Sequence, residues 1–211
     1  MQDMPNNETL NVVNSDIVVL TKLASGVGWD SIRELSVYRM LYLASILYSF
    51  KYPHHDNMFS RYYHFDIDSA GPYSDEIKKS LVFLESNEYL IRNDNSFKLN
   101  PERADAVLKA AIFSEKENWL KAIIYILGLY GEGKIYEFVI RDPQYQDHIE
   151  RNVPKELDIE GDNKTIRILN KFKQAFEKNI GDKATGINDT EYLTLYFEYV
   201  FSKVVKGEID L

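Results

Sequence analysis

YHFDIDSAGPYSDEIKKSLVFLESNEYLIRNDNSFKL, residues 63–99, reads as strand, turn, helix and hairpin in close succession. Tyr63, Phe65 and Ile67 alternate with His64, Asp66 and Asp68, the period of a strand with one buried face, and Gly71-Pro72 breaks the run. Ser74 stands where a hydroxyl can cap the helix that follows, and Asp75 and Glu76 complement the positive end of its dipole. Ile77, Leu81 and Leu84 recur at helical spacing, with Phe83 widening that face, which leaves Lys78, Lys79 and Glu85 to water. Residues 89–92 and 96–99 flank Asn93-Asp94-Asn95, which tolerate left-handed backbone angles, so a hairpin closes the stretch. Helix and two-stranded wing in this order are the parts of a winged helix.

Upstream, residues 1–14 are polar and read as a flexible N-terminus. Residues 17–23 form a short apolar run, read as helix and ended at Gly26-Val27-Gly28. Asp30 or Ser31 can then cap a long helix to Phe50. In it Ile32, Leu35, Met40, Leu43 and Leu47 recur at helical spacing, and Leu41, Ala44 and Ile46 carry apolar surface around most of the circumference. Such a helix is central, and the helix over 75–86 is expected to pack against it.

Downstream, Pro101 suits the first turn of a helix running towards Phe113, and a strongly apolar helix covers 119–130. A short helix follows Gly131 and Gly133 and stops before Pro143. Residues 152–163, NVPKELDIEGDN, are the most linker-like of the chain. Helices are expected over 164–179, with Ile168, Leu169, Phe172 and Phe176 as one stripe and Lys171, Lys173 and Lys178 opposite, and from Asp189 or Thr190 to Lys206. The last carries a stripe of Leu193, Phe197, Val200 and Val204 beside a second of Tyr192, Tyr196 and Tyr199. That arc either belongs to the core of the helical half or docks a partner, through Tyr192, Tyr196, Phe197, Tyr199 and Phe201. The expected fold is α+β and mainly α: a winged helix-turn-helix domain with a small β wing over 15–100, then an all-helical region over 101–211.

Composition narrows the function. The 211 residues carry a net charge of −8 and no Cys, which disfavours autonomous binding to phosphates and removes disulfides, thiolates and Cys-based zinc sites. The 15 Tyr lean towards protein interfaces, where an apolar ring with a polar tip is favoured. The opening residues show no signal-peptide pattern and no run is long enough to cross a bilayer, so a soluble cytoplasmic protein without membrane contact is expected.

The search for chemistry is empty. Adjacent His54 and His55 lack further ligands at metal-binding spacing, and His64 alternates to the solvent side of its strand. Gly131-Glu132-Gly133-Lys134 lacks the spacing of a phosphate loop and follows a helix rather than a strand. Asp66, Asp68, Glu156, Asp158, Glu160 and Asp162 are tied to no base or nucleophile by spacing. No catalytic, cofactor-binding or metal-ligating residue is assigned. The candidate contacts to a DNA backbone are Lys78, Lys79, Arg92 and Lys98, opposed by Asp75, Glu76 and Glu85 on the same helix.

FDIDSAGPYSDEIKKSLVFLESNEYL, with Gly71-Pro72-Tyr73-Ser74 at its centre, and the later KIYEFVIRDPQY, with Lys134, Ile135, Tyr136, Asp142, Pro143 and Tyr145, resemble a known pattern. They are similar to YwgA-like winged-helix proteins and to the small middle components of bacterial ABC-three-component systems, of which the Lamassu antiphage systems are the best-known members. The resemblance covers about residues 31–145. It implies a non-catalytic subunit joining an SMC-like ABC ATPase to an effector such as a nuclease, in a complex that senses invading phage or plasmid DNA. It also implies that ATP and magnesium belong to the partner ATPase, with no cofactor in this chain. The competing expectation is a winged-helix transcriptional regulator that grips phosphates through the four cations named above.

Overall fold

The computed structural model describes residues 7–111, 114–151 and 156–206. The protein is mainly helical with two small antiparallel sheets. In order the chain forms α1 (Asn7–Gly26), β1 (Ile32–Arg33), α2 (Glu34–Lys51), β2 (Phe65–Asp68), β3 (Gly71–Tyr73), α3 (Asp75–Ser86), β4 (Leu90–Asn93) and β5 (Ser96–Leu99). It continues through α4 (Pro101–Ala111), α5 (Glu115–Gly128), α6 (Ile135–Ile140), α7 (Pro143–Arg151), β6 (Glu156–Leu157), α8 (Lys164–Ile180) and α9 (Asp189–Lys206).

The N-terminal segment corrects one expectation. Residues 7–14, read as flexible, are the first turns of α1, because Val13, Ile17, Leu20 and Ala24 make one buried stripe that begins inside the polar stretch. Residues 1–6 lie outside the described residues. A second correction concerns the start of α2. Asp30 and Ser31 do not cap it; Ile32 and Arg33 stay extended as β1, pairing with Phe97 and Ser96, and Glu34 N donates to Asn95 O at 2.9 Å. Burying Ile32 in a strand ladder outweighs a side-chain cap, so the helix opens at Glu34, and Leu35 falls on an exposed position.

α2 is the axis of the fold. Its faces are buried nearly all round, against β3, α5, α6, α8 and α9. Because those elements surround α2, α3 packs instead on α1, contrary to the expected pairing of α2 with the helix over 75–86. Ile77, Leu81 and Leu84 are buried in that contact, whereas Phe83 turns outward. Ser74 occupies the cap position of α3, but its hydroxyl donates to Glu76 Oε2 at 2.7 Å rather than accepting a backbone N–H.

Gly71-Pro72 does not end the strand before it. Asp66, Ile67 and Asp68 pair with Tyr73, Pro72 and Gly71 in a β2–β3 hairpin, and β6 extends it through Phe65 opposite Leu157. The second hairpin, β4–β5, turns at Asp94 and Asn95 as expected, Asp94 taking a positive φ of 52°. With β1 it forms a sheet of order β1-β5-β4.

Residues 156–163, expected as linker, belong to the core: Leu157 and Ile159 are buried. Two buried asparagines fasten them to α2. Asn57 Nδ2 donates to Ile159 O at 2.7 Å and to Ser45 O at 2.9 Å, and Asn163 Nδ2 donates to Ile46 O at 3.4 Å and to Glu160 O at 2.8 Å. Asn163 Oδ1 then accepts from Ile166 N, capping α8. Residues 152–155 of the expected linker, and Phe113, lie outside the described residues. One hydrophobic core runs through both expected domains, from Val13 to Phe197, and Trp119 Nε1 donates across it to Ala44 O at 2.8 Å.

Candidate interaction surfaces

α3 and the β4–β5 hairpin present the candidate DNA contacts. Lys78 and Lys79 are exposed on the outward face of α3, and Lys98 is exposed on β5. Arg92 is held otherwise. Its guanidinium bonds Glu34 at 2.8 Å and Glu85 at 2.9 Å and lies over the Phe97 ring at 4.4 Å, which joins the start of α2, the end of α3 and β4. Two carboxylates thus already answer its charge. In the hairpin register Arg92 pairs with Phe97 and Ile91 with Lys98, so by strand alternation Arg92 and Lys98 leave opposite faces. The same region carries exposed apolar side chains: Val82 at 57%, Phe83 at 45% and Ile91 at 53% exposure.

The candidate partner-binding residues of α9 divide. Tyr192, Tyr196 and Phe197 are buried, packed with Phe172, Phe176 and Phe138, so this part of the aromatic arc is core. Phe201 is half-buried against Tyr130, and Tyr199 is 50% exposed beside Phe172. Val204 has no described side-chain environment. The helix is capped not by Asp189 or Thr190 but by Asn188, whose Oδ1 accepts from Thr190 N and Glu191 N while Glu191 Oε2 accepts from Asn188 N.

Several tyrosines are spent on carboxylates within the fold. Tyr42 donates to Asp142 at 2.7 Å, Tyr63 to Asp16 at 2.7 Å, Tyr48 to Glu115 at 2.5 Å, Tyr73 to Asp75 at 2.7 Å and Tyr192 to Glu177 at 3.1 Å. For Tyr42, Tyr48, Tyr63 and Tyr192 the pairing lets a buried ring keep its hydroxyl satisfied, and Tyr73 is half-buried. Burial, with the facing carboxylates, pushes the Tyr42 and Tyr63 phenols well above their ordinary pKa.

Two of these carboxylates anchor interior networks. Asp142, ahead of Pro143, accepts from Tyr42, from Thr165 Oγ1 at 2.5 Å and from Tyr145 N at 2.9 Å, and so ties α2, α7 and α8 together. Asp16 on α1 meets Lys116 of α5 at 2.5 Å, and the Lys116 ammonium lies 4.6 Å from the centre of the Phe59 ring and 5.5 Å from that of Tyr63. Burial raises the pKa of both carboxyls, against the lowering effect of Lys116 on Asp16 and of the Thr165 and Tyr42 hydrogen bonds on Asp142. Neither network was found from sequence. The signals were an Asp directly before a helix-opening Pro and a single charged residue, Asp16, beside an apolar run; Lys116, between Glu115 and Glu117, carries no such mark.

The two resembling stretches meet beside α2. Tyr38 stacks on Tyr73 at 5.7 Å, Tyr42 packs edge-on to Phe65 at 5.5 Å, and the Arg39 guanidinium sits 4.7 Å from the Tyr136 ring centre. The β2–β3 hairpin and α6 are therefore fixed to one helix and to each other.

The histidines show no convergence. His55 stacks on Tyr52 and faces Glu115 at 3.6 Å, and His64 faces Glu76 at 3.3 Å. An open cleft of about 460 Å³ beside β6 is lined by His64, His148, Leu157, Asp158 and Glu160 among others. Among the described residues no group of three or more His, Asp or Glu is placed to hold a metal ion, and no helix is long and apolar enough to cross a membrane. No family model, no characterised protein and no solved structure matches the chain.

Proposed function

We propose that this chain is a cytoplasmic winged-helix subunit that binds other proteins: a non-catalytic adaptor between an SMC-like ABC ATPase and an effector such as a nuclease, in a complex that senses phage or plasmid DNA. The observation that carries the protein-binding part is the outward surface of α3 and the hairpin. Val82, Phe83 and Ile91 are exposed where a reader of DNA needs cations, and Arg92 is answered by Glu34 and Glu85. The winged-helix reading is supported by the order α1, β1, α2, α3, β4, β5 and by β1 lying beside β5 of the hairpin, with β2–β3 as an insertion between α2 and α3. The identity of the partners rests on the resemblance of the GPYS and KIYEFVIRDPQY stretches. ATP and magnesium are then the partner's.

Purification of the tagged chain with the products of its neighbouring genes, followed by mass spectrometry, tests the reading. Recovery of an SMC-like ATPase with an effector is expected. A stable lone chain or homodimer overturns it.

Lys78, Lys79 and Lys98 favour a second reading, a winged-helix regulator, since all three are exposed and none is ion-paired among the described residues. It requires the isolated chain to shift a DNA duplex at low salt and to lose that shift when Lys78, Lys79, Arg92 and Lys98 are reversed in charge. An unshifted duplex removes it.

A further inference from the structure

Arg39 is the one cation in VYRMLYLASILY, residues 37–48, of the buried helix α2. Its Nη2 donates to Ala70 O at 2.8 Å, and its flat face rests on Tyr136. Nε is buried without an acceptor, and among the described residues Arg39 has no carboxylate partner. Gly71, at φ +126°, brings the hairpin against the guanidinium, where a Cβ would stand 3.5 Å from Nε. Glu132, whose charge also reaches Arg39, is taken by Arg33, through its backbone N–H at 2.6 Å and its Nε at 3.5 Å.

Tyr136 and Tyr145 stand close enough for their phenols to feel the Arg39 charge, and neither hydroxyl has a hydrogen-bond partner among the described residues. Tyr136 is 40% exposed, so the group opens to the surface. A rigid guanidinium without a counter-ion, flanked by two unspent hydroxyls, is costly to keep half-buried unless an anion completes it. We propose that Arg39, Tyr136 and Tyr145 recognise a single carboxylate on a partner protein.

The choice of carboxylate follows from the surroundings. Asp68 carries negative charge to the edge of the group and opposes a polyanion, while one carboxylate matches the planar fork of an arginine. Arg and Tyr are also the side chains that concentrate binding energy at the centre of protein interfaces. The inference rests on the protein-binding reading of the chain, and its test needs no partner.

The ¹⁵N-labelled full chain is titrated with N-acetylglutamate amide and, in parallel, with inorganic phosphate, following the Arg39 Nε–H resonance and the Tyr136 amide. A saturable shift with the glutamate derivative is expected, with an affinity on the order of millimolar. Arg39→Gln weakens it about tenfold at the Tyr136 amide, as loss of a charge-assisted pair does. Tyr136→Phe keeps the ring that supports Arg39 and weakens binding a few-fold without moving the unfolding midpoint. Saturation by phosphate alone overturns the proposal in favour of a phosphate site, and no saturable shift in the folded chain overturns it outright. If the partners still co-purify in that last case, the site falls and the adaptor reading stands.

Discussion

Each of the two small sheets is a local hairpin joined by a two-residue strand from far along the chain, β1 for β4–β5 and β6 for β2–β3. Their surroundings differ. The β4–β5 sheet is braced by ion pairs at the surface, Arg92 to Glu34 and Glu85, and Arg103 to Glu88. The β2–β6 side is braced by buried polar groups: Asn57 and Asn163 on the backbone, Asp142 among its donors, and Asp16 with Lys116 under the loop after α2. Water screens the first kind and not the second, so equal numbers of contacts carry unequal weight. The β4–β5 hairpin is held by its own turn, and the other sheet by groups that cannot be removed singly.

Lys116→Met sharpens that contrast most. It leaves Asp16 as a buried carboxylate with only the Tyr63 hydroxyl facing it, a change expected to cost about 3–5 kcal/mol in urea unfolding. Adding Asp16→Asn, which keeps an acceptor for Tyr63, is expected to recover most of the loss. A Lys116→Met protein as stable as the parent would mean that the pair is hydrated and that the two sides are alike.

Leu157→Ala comes next, at about 2–4 kcal/mol for truncating a buried leucine. Were residues 156–163 a linker, the same change would fall within a few tenths of a kcal/mol. Residues 152–163 read as a linker because Pro, Gly and four acids dilute their apolar positions, and among the described residues of the stretch Leu157 and Ile159 are the apolar ones that enter the core. Alternation over so few residues is no signal. What fixes the strand lies elsewhere, in Phe65 opposite it and in Asn57, an asparagine in a loop of no other distinction.

The same reasoning separates what was legible from what was not. Asn93-Asp94-Asn95 and the flanking apolar positions define the β4–β5 hairpin locally, and the spacing of Ile77, Leu81 and Leu84 defines the buried face of α3. Which helix receives that face is not local: α2 is apolar enough to invite it, yet five other elements take its surface and leave α1. The α9 stripes were visible as apolar arcs, but whether Tyr192 faces a partner or Phe176 depends on α8 folding back. The carboxylate networks were invisible because an Asp reads as solvated until a Tyr, Thr or Lys from a distant helix is known to face it.

Asp142→Asn probes the interior side by pH. Burial raises the Asp142 pKa in the folded protein, so from the unfolded value upward the folded state holds a proton that the unfolded state has lost. Its contribution to stability is therefore greatest at the acid end and declines as pH rises through the folded pKa. The amide replaces one acceptor by a donor amid three donors and costs about 1–3 kcal/mol. The penalty is expected to be larger near pH 4 than near pH 7, in urea midpoints measured across that range. An unchanging difference would place the carboxylate in contact with water and erase the distinction between the two sheets.

The smallest effects belong to the β4–β5 hairpin and its junction with α3, and they have opposite signs. α3 ends with Tyr89 N donating to Leu84 O and Glu88 N to Glu85 O, a closure that puts Glu88 at φ 62°, where glycine is the unstrained residue. Glu88→Gly is expected to stabilise by up to about 1 kcal/mol, less the extra freedom it gives the unfolded chain and the exposed pair with Arg103. Arg92→Ala removes two ion pairs whose groups are about a third exposed, and is expected to destabilise by less than about 1 kcal/mol, further reduced in high salt. A larger loss from Arg92→Ala would show the guanidinium holding α2, α3 and β4 together through its packing on Phe97. It would then be as structural as Lys116, and Lys98 and Ile91, on the opposite face of the hairpin, would be the side chains left there to meet a partner.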